Sequence, residues 1–278
     1  MYDHNKKAGN QGDVVKHTAL LAAADAIINA SSGDFEYADT FAGYASNTLQ
    51  STGEWRYGIG NLWQSGLSCD NVNITFWHDL RDCKPGLLGS VYPGSSGFIL
   101  KLCMSKARNF RARLWDTSPV VIAQLMEAYD NQEVTIHPRP AISDDFTDHK
   151  TDLLLIDPPG LRTKSKKQYP DLAELLCFFD KVPNTILWFP ITAQGKGSPA
   201  RETGPSEKAK CECLSYGLSV ASVRWSNGIR TCGCRLAYRL PSEAAYALQS
   251  AVDDVATLMR WENVKHEIPP KKLDQPCE

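Results

Sequence analysis

The sequence has no long apolar run, no apolar segment near its start and no excess of charge of either sign. No stretch approaches the roughly 18 apolar residues that span a bilayer. Residues 1–13 are polar, so we expect a cytoplasmic protein that is neither secreted nor inserted in a membrane. With 30 Lys and Arg against 32 Asp and Glu, bulk attraction cannot hold a nucleic acid, and any site for a polyanion must be local.

The nine cysteines are an odd number in a chain of 278 residues that can fold without disulfides, which favours reduced thiols over a disulfide framework. Hydrophobic residues make up 42% of the chain, which excludes disordered and fibrous classes. In two C-x-C pairs, Cys211/Cys213 and Cys232/Cys234, a single residue separates the cysteines. Zinc sites more often have spacers of roughly two to four residues. We therefore expect buried thiols and no metal.

Strand-like and helix-like segments alternate along most of the chain, which predicts an α/β fold with a mostly parallel sheet and helices on both faces. Helical patterns cover residues 11–30, 94–107, 119–129, 171–179, 207–214 and 242–261. Strand patterns cover residues 35–41, 113–115, 134–136, 153–156, 185–189, 220–225 and 235–240. Residues 51–90 interrupt the alternation with three tryptophans and no strong strand. We interpret 51–90 as an inserted helical subdomain in a main domain of residues 1–50 and 91–278.

Acidic residues follow three of the predicted strands, where open parallel sheets bind ligands. Asp39 and Gly43 follow the first strand, as in a nucleotide-binding loop or an ordinary tight turn. Asp116 follows the second, where it can accept bonds from ribose hydroxyls or cap the next helix. Asp144 follows the third, either as an acceptor for an adenine amino group or as a solvated turn residue.

The strongest motif is Leu153-Leu-Leu-Ile-Asp157-Pro-Pro159, a buried type of strand that ends in a carboxylate and two prolines. Prolines fix φ and lack an N–H, so this loop is stiff. A carboxylate and a backbone carbonyl that accept the two hydrogens of an exocyclic amine favour the pyramidal form that attacks a methyl group. The alternative interpretation is a rigid strand-ending turn.

Together the motifs resemble the RlmJ family of adenine-N6 methyltransferases of large-subunit ribosomal RNA, which also carry an older label linking them to the use of external DNA. The most specific similarity is the N-terminal pattern Tyr2-x-His4-x-x-x-Ala8-Gly9-Asn10-x-x-Asp13-Val-x-Lys16-His17-Thr18. Further similarities extend over most of the chain and become sparse after Gly228: Asp39-Thr40-x-Ala42-Gly43, Thr52-Gly53-Glu54, Gly58-Ile59, Trp63, Tyr92-Pro93-Gly94-Ser95, Asp116, Leu155–Pro159 and Leu187-Trp188-x-Pro190.

The resemblance implies a Rossmann-like S-adenosylmethionine-dependent methyltransferase fold with a seven-stranded, mostly parallel sheet and a helical insertion. It implies S-adenosyl-L-methionine as cofactor and ribosomal RNA, protein-free or in an early assembly intermediate, as partner. Asp157, Pro158 and Pro159 would hold the amine of a flipped adenine, Tyr2 and His4 would contact the target nucleotide, and Lys16 would order the N-terminal segment. The implied cofactor-binding residues are His17, Phe41, Gly43, Ser95, Asp116, Asp144 and Asp145.

Several positions depart from the family pattern. Gly160 stands where the family has an aromatic residue that stacks on the flipped base, so Tyr2, Tyr169 or another ring would have to substitute. Phe41 replaces a histidine and Ala45 a glycine, which changes the cofactor loop. In the same site Asp145 replaces a glycine, and Asp116 replaces a glutamate with its charge kept.

Four cations follow the Asp157 loop, Arg162, Lys164, Lys166 and Lys167, in a chain that is otherwise slightly acidic. They can contact phosphates beside the site or form a solvated loop. Two other functions stay open at this point. One is a nucleic-acid-binding or DNA-utilisation protein of the same fold with weakened catalysis, motivated by Gly160 and Asp145; the other is N6 methylation of DNA or of another RNA.

Overall fold

The computed structural model describes residues 4–64, 91–143, 146, 150–162, 168–191, 205–226, 231–261 and 264–270. Short 3-10 turns cover Glu54–Tyr57 and Ala141–Ser143. The α-helices of the described residues are α1 (His4–Lys7), α2 (Gln11–Ala30), α3 (Ile59–Gln64), α4 (Ser95–Ser105), α5 (Pro119–Ala128), α6 (Leu172–Leu176), α7 (Phe178–Lys181), α8 (Pro205–Ser215) and α9 (Ser242–Leu258). Their strands are β1 (Phe35–Asp39), β2 (Ser46–Thr48), β3 (Val91–Pro93), β4 (Phe110–Trp115), β5 (Glu133–His137), β6 (Leu153–Ile156), β7 (Thr185–Ile191), β8 (Ser219–Ser226), β9 (Thr231–Arg239) and β10 (Lys265–Glu267).

Within these ranges the main sheet has eight strands in the order β10-β8-β9-β7-β6-β1-β4-β5. Strands β5, β4, β1, β6 and β7 pair in parallel, whereas β9, β8 and β10 join by antiparallel pairing. The predicted mostly parallel sheet is confirmed, but the predicted seven strands are wrong. The eighth, β10, is a short edge strand of sequence Lys-His-Glu, which gives no apolar signal and is the charged type that protects a sheet edge.

Neighbouring residues of the central strands face opposite sides of the sheet, as the two-residue period of a strand requires. Leu153 and Leu155 pack in the hydrophobic cluster that contains α2, α4, α5 and α9. Leu154 and Ile156 pack in the cluster that contains α6, α7 and α8. All four are fully buried, so the run of apolar residues on β6 is explained by helices on both faces.

Helix α2 has the bounds that its apolar spacing predicts. Asn10 is the N-cap and accepts a hydrogen bond from the N–H of Asp13 at 3.0 Å. The helix ends at Ala30, followed by Ser31 in an extended conformation. It is buried on nearly all sides because it packs between α9, α4 and the sheet, and even Lys16 and His17 lose their contact with water.

Two predicted elements differ from the structure for local reasons. The first strand ends at Asp39 rather than residue 41, because the Asp39 carboxylate accepts a bond from the N–H of Phe41 and turns the chain. The predicted helix over 171–179 is two short helices, α6 and α7, which meet at Cys177. Asp171 and Glu174 form a capping box that fixes the start of α6.

The segment interpreted as an insertion begins and ends at a separate antiparallel pair. Strand β2 pairs with β3, with Asn47 opposite Tyr92. Between them, residues 54–57 and 59–64 are helical, and 65–90 lie outside the described residues. The subdomain itself stays a prediction. In the described part of the chain, no helix combines the length and hydropathy that a membrane span needs.

Candidate active site

A cavity of about 710 Å³ opens where β1, β4 and β6 end. Strand β1 lies between β4 and β6, so the order in which strands are added to the sheet reverses at β1. Open parallel sheets bind ligands outside the carboxyl ends of the strands at such a reversal. The volume lies in the range of small-molecule and cofactor sites, about 300–1,000 Å³. The cavity therefore has the place and the size of a ligand site.

Asp39 lies behind the cavity wall, next to the lining residues Thr40 and Ser95. Its carboxylate is fully buried and accepts hydrogen bonds from the Tyr37 hydroxyl at 2.9 Å, from the Ser95 hydroxyl and from the N–H of Phe41 at 3.2 Å. Burial raises the pKa of Asp39 to about 6, although the bonds from Ser95 and Tyr37 act in the opposite direction. Ser95 thus lines the cavity, as predicted for a cofactor-binding residue, while its hydroxyl holds Asp39.

Gly43 and Asp116 meet at the cavity wall. Gly43 has φ +60°, a conformation that glycine adopts without strain, and its N–H donates to Asp116 Oδ2 at 3.2 Å. Asp116 Oδ1 accepts the N–H of Ser118 at 2.7 Å. Ser118, not Asp116, is the N-cap of α5, which corrects the capping alternative considered for Asp116. The loop after β1 is therefore hydrogen-bonded to the carboxylate that follows β4.

Lys16 joins two carboxylates beneath the cavity. Its Nζ lies 2.5 Å from Asp157 Oδ2 and 2.9 Å from Asp13 Oδ1, and 5.7 Å from the ring centroid of Trp188. Burial disfavours the ammonium, but the Asp13 and Asp157 carboxylates outweigh it and raise the pKa of Lys16 above its ordinary value. Asp13 Oδ2 also accepts the N–H of Gly9 at 3.0 Å. Lys16 therefore connects the N-terminal segment to the Asp157 loop.

The Asp157-Pro158-Pro159 loop leaves a fully buried strand and borders the cavity. The Asp157 side chain keeps 21% of its surface exposed. Pro158 is buried and Pro159 exposed. The stiff loop thus presents a partly solvated carboxylate at the cavity, as the sequence predicts.

His17 is neutral in this site. Its Nδ1 lies 2.8 Å from the Tyr92 hydroxyl, and its ring packs 4.9 Å from the Phe98 ring between centroids. Burial, assisted by the nearby Lys16 charge, lowers the pKa of His17 to about 3. His17 lines the cavity as predicted, where it can contact a ligand as a neutral ring.

His17 and Asp39 should give opposite contributions to stability on acidification. The depressed pKa of His17 means that the unfolded chain takes up its proton first, so its contribution to stability is lost as pH falls below about 6.5. From about pH 7 to about pH 5 this loss is about 2 kcal/mol. The raised pKa of Asp39 lets the folded protein bind a proton first, which adds about 1 kcal/mol over the same interval.

Urea denaturation at the two pH values measures these contributions. In the wild type, the opposite contributions of His17 and Asp39 to the free energy of unfolding should largely cancel. His17→Gln should become more stable at the lower pH, and Asp39→Asn should lose about 2 kcal/mol there. Other carboxylates affect all three proteins alike, so the differences between the proteins carry the prediction. Parallel stability profiles for the three proteins would contradict it.

The N-terminal segment forms one wall of the cavity. Lys7 forms an ion pair with Glu54, the Gly9 carbonyl accepts the N–H of Ile59 at 2.9 Å, and Asn5 accepts the N–H of Thr48 at 3.0 Å. Lys7, Ala8 and Asn10 line the cavity. This segment is thus fixed against the residues that follow β2.

Several predicted residues cannot be placed by the structure. Tyr2, Asp144, Asp145, Lys164, Lys166 and Lys167 lie outside the described residues. His4 begins α1, and its side chain lies outside the description as well. The other predicted residues, including Phe41, surround the one cavity described above: Lys16, His17, Phe41, Gly43, Ser95, Asp116, Asp157, Pro158, Pro159 and Arg162.

Arg162 has protein partners. Its Nε donates to the Tyr169 carbonyl at 2.9 Å, and its Nη2 lies 3.4 Å from Glu174 Oε2. The side chain keeps 42% of its surface exposed. A phosphate contact for Arg162 stays a prediction, and in this structure the residue holds two parts of the chain together.

The site also includes residues that carry little signal in the sequence. Trp188 lines the cavity from the middle of β7, and the motif Leu187-Trp188-x-Pro190 was the available indication. Thr40, Tyr44, Asn47, Thr117, Arg139, Pro140, Ala141 and Ile142 are further lining residues. Side chains such as these reach the cavity through loop geometry, which leaves no periodic pattern in the sequence.

The two C-x-C pairs contribute differently to the fold. Cys213 is buried in the cluster around α8, whereas Cys234 is buried in the cluster on the other face of the sheet. Cys211 is exposed and Cys232 is partly buried. Among the residues that the structure describes, no group of His, Cys, Asp and Glu side chains could hold a metal ion.

The sheet order and the cavity define a Rossmann-like α/β protein, and one solved structure shares its fold. The crystal structure of protein LPL1258 from Legionella pneumophila str. Philadelphia 1 superposes with a TM-score of 0.70 and 18% identity, over 95% of this chain and 99% of that one. A proposed class I S-adenosylmethionine-dependent methyltransferase from Listeria monocytogenes has a TM-score of 0.46 and 10% identity, over 87% of this chain and 64% of that one.

Among curated proteins, the chain is similar to the Ribosomal RNA large subunit methyltransferase J of Haemophilus influenzae. It is 28% identical over 160 residues, which cover 54% of this chain and 47% of the relative. The match thus spans about half the length of that protein. No family model matches the chain. The similarity inferred from the motifs is therefore confirmed as a similarity to that methyltransferase.

Proposed function

We propose that the protein transfers a methyl group from S-adenosyl-L-methionine to the N6 amine of an adenine in large-subunit ribosomal RNA. The observation that carries the proposal is the Asp157-Pro158-Pro159 loop, which presents a carboxylate to a cofactor-sized cavity at the switch point of the sheet. The similarity to a ribosomal RNA large subunit methyltransferase supports the substrate.

The cavity fits the proposed cofactor in its volume and in its polar groups. The Gly43 loop lets backbone approach a ligand closely, and Asp116 offers carboxylate oxygens to ribose hydroxyls. His17 and Phe41 would contribute neutral ring surfaces, and Ser95 would line the wall next to Asp39. When bound, the cofactor supplies an electrophilic methyl group on a sulfonium sulfur.

The residues of the chain would prepare the amine. Because the lone pair of an adenine amine is delocalised into its ring, the amine is a weak nucleophile, and hydrogen bonds to the Asp157 carboxylate and a neighbouring backbone carbonyl favour its reactive form. Asp157 is also placed to accept the proton that the amine must lose. The target base would have to leave its helix or loop stack to reach this carboxylate.

Lys16 is a positioning residue in this proposal. It contacts one oxygen of Asp157 through the ion pair at 2.5 Å. The link from Lys16 through Asp13 to Gly9 would couple the order of the N-terminal segment, with Tyr2 and His4, to the position of this carboxylate.

Transfer of labelled methyl from S-adenosylmethionine to unmodified large-subunit ribosomal RNA tests the function. The RNA is transcribed in vitro and used without ribosomal proteins, and the product is digested to nucleosides for mass spectrometry. We expect label in N6-methyladenosine. Label in another nucleoside would contradict the N6 assignment, and binding of cofactor and RNA without transfer would favour a nucleic-acid-binding protein. Transfer to DNA in preference to RNA would contradict the substrate.

A further inference from the structure

The ring of Tyr169 occupies the space into which a side chain at position 160 would project. A Cβ on Gly160 would lie 2.6 Å from Tyr169 Cε2 and 2.7 Å from Cδ2, closer than real Cβ contacts. Tyr169 lines the same cavity as Asp157, Pro158 and Pro159. An aromatic ring therefore stands next to the Asp157 loop although that loop itself contains none.

The chain on both sides of this ring is held in place. The N–H of Arg162 donates to the Pro170 carbonyl at 2.8 Å, and its Nε donates to the Tyr169 carbonyl at 2.9 Å. Directly after Pro170, Asp171 and Glu174 form the capping box that starts α6. These bonds hold the backbone on both sides of Tyr169, which lowers the cost of ordering this segment when a ligand binds.

Several other rings that line the cavity are buried or in contact with a neighbour. Tyr92 is 1% exposed and bound to His17, and the Lys16 ammonium covers the Trp188 ring. Phe178 is 2% exposed and packs edge-on against Phe146. Phe41 and Tyr44 belong to the loop after β1. Tyr169 packs directly on Gly160, which follows Pro159 in the chain, and it is only partly buried.

We propose that Tyr169 is the platform on which the target adenine stacks, supplied from nine residues beyond Gly160. The inference rests on the proposed function and names the residue that holds its substrate. Each base has a π-face that stacks on an aromatic ring. A purine stacked on Tyr169 would lie in the cavity that Asp157 also lines, and the Asp157 carboxylate can accept hydrogens from an exocyclic amine.

Steady-state methyl transfer to the same RNA, with kcat and KM for RNA measured separately, tests the proposal. We expect Tyr169→Ala to lower kcat/KM for RNA by about 5- to 150-fold, the range given by the loss of one base stack. Tyr169→Phe keeps the ring and should stay within about threefold of the wild type. The dissociation constant of S-adenosylmethionine, measured by calorimetry, should be unchanged in both variants.

Moving the ring separates a binding role from a structural one. Gly160→Tyr alone places two rings in one space and should lower transfer. Gly160→Tyr combined with Tyr169→Ala returns a single ring to that space and should recover kcat/KM for RNA to within about fivefold of the wild type. The matched control is Tyr246→Ala, at an exposed tyrosine of α9 outside the cavity. It should change neither kcat/KM for RNA nor the dissociation constant of S-adenosylmethionine.

Each other result decides against the inference. Transfer by Tyr169→Ala with unchanged kcat/KM for RNA would overturn it while leaving the proposed function intact. A loss of cofactor affinity as large as the loss of kcat/KM, or no recovery in the double variant, would show that Tyr169 supports the fold instead. Absence of transfer by the wild type would remove the proposed function and this inference with it.

Discussion

Asp157→Asn is expected to reduce methyl transfer by about 10²- to 10⁴-fold, the range of a lost acid–base or charge-stabilising group. Asparagine keeps the shape of the side chain but replaces one acceptor oxygen with a donor, which would oppose an amine at that position. It also removes the negative charge that would accept the amine proton. Lys16 keeps its second partner, Asp13, at 2.9 Å, so the variant should fold.

Single-turnover transfer with saturating cofactor measures this effect on the chemical step. Calorimetry should show cofactor affinity close to that of the wild type, because Asp116 and the Gly43 loop are untouched. The control is Asp130→Asn, at an exposed aspartate after α5 that lies outside the cavity. A single-turnover rate within about threefold of the wild type in Asp157→Asn would refute the role of Asp157.

Lys16→Met should lower the free energy of unfolding by about 3–5 kcal/mol, the cost of leaving buried charges without their partner. Lys16 is 8% exposed and contacts two carboxylates. Its pKa is raised, so its contribution is fully present below the ordinary lysine pKa and unaffected near neutral pH. In its absence, the pKa of Asp13, which Lys16 lowers, should rise.

Urea denaturation at neutral pH measures the loss. The matched control is Lys208→Met, which breaks an exposed pair with Glu212 one helical turn away and should cost less than about 1 kcal/mol. Adding Asp157→Asn to Lys16→Met removes one of the two carboxylates that have lost the lysine and should recover part of the stability. Equal losses of unfolding free energy in Lys16→Met and Lys208→Met would show that the ion pairs of Lys16 stabilise the protein no more than an exposed pair does.

The sequence predicted the central fold because apolar periodicity is strongest where both faces of an element are buried. Strand β6 and helix α2 have the predicted bounds, since each is an apolar run with clear ends. The elements that the sequence did not predict are short or polar. β10, β2 and β3 each have three residues and form through pairing with a partner strand, which leaves no local pattern.

The candidate site was predictable where a residue type is required by local geometry. Asp157 and Asp116 follow strands, and Gly43 adopts a positive φ, so each leaves a signal in the sequence. Contacts between distant segments leave none. The ion pair of Lys16 with Asp157 joins positions 141 residues apart, and the packing of Tyr169 on Gly160 depends on the course of the chain between them.

The β2–β3 pair closes the base of the segment that runs from Leu49 to residue 90. Changes of length within a closed loop cost little free energy, because the closure entropy grows only with the logarithm of its length. The register of Phe35 with Phe110 in the central sheet is therefore insulated from changes in that loop.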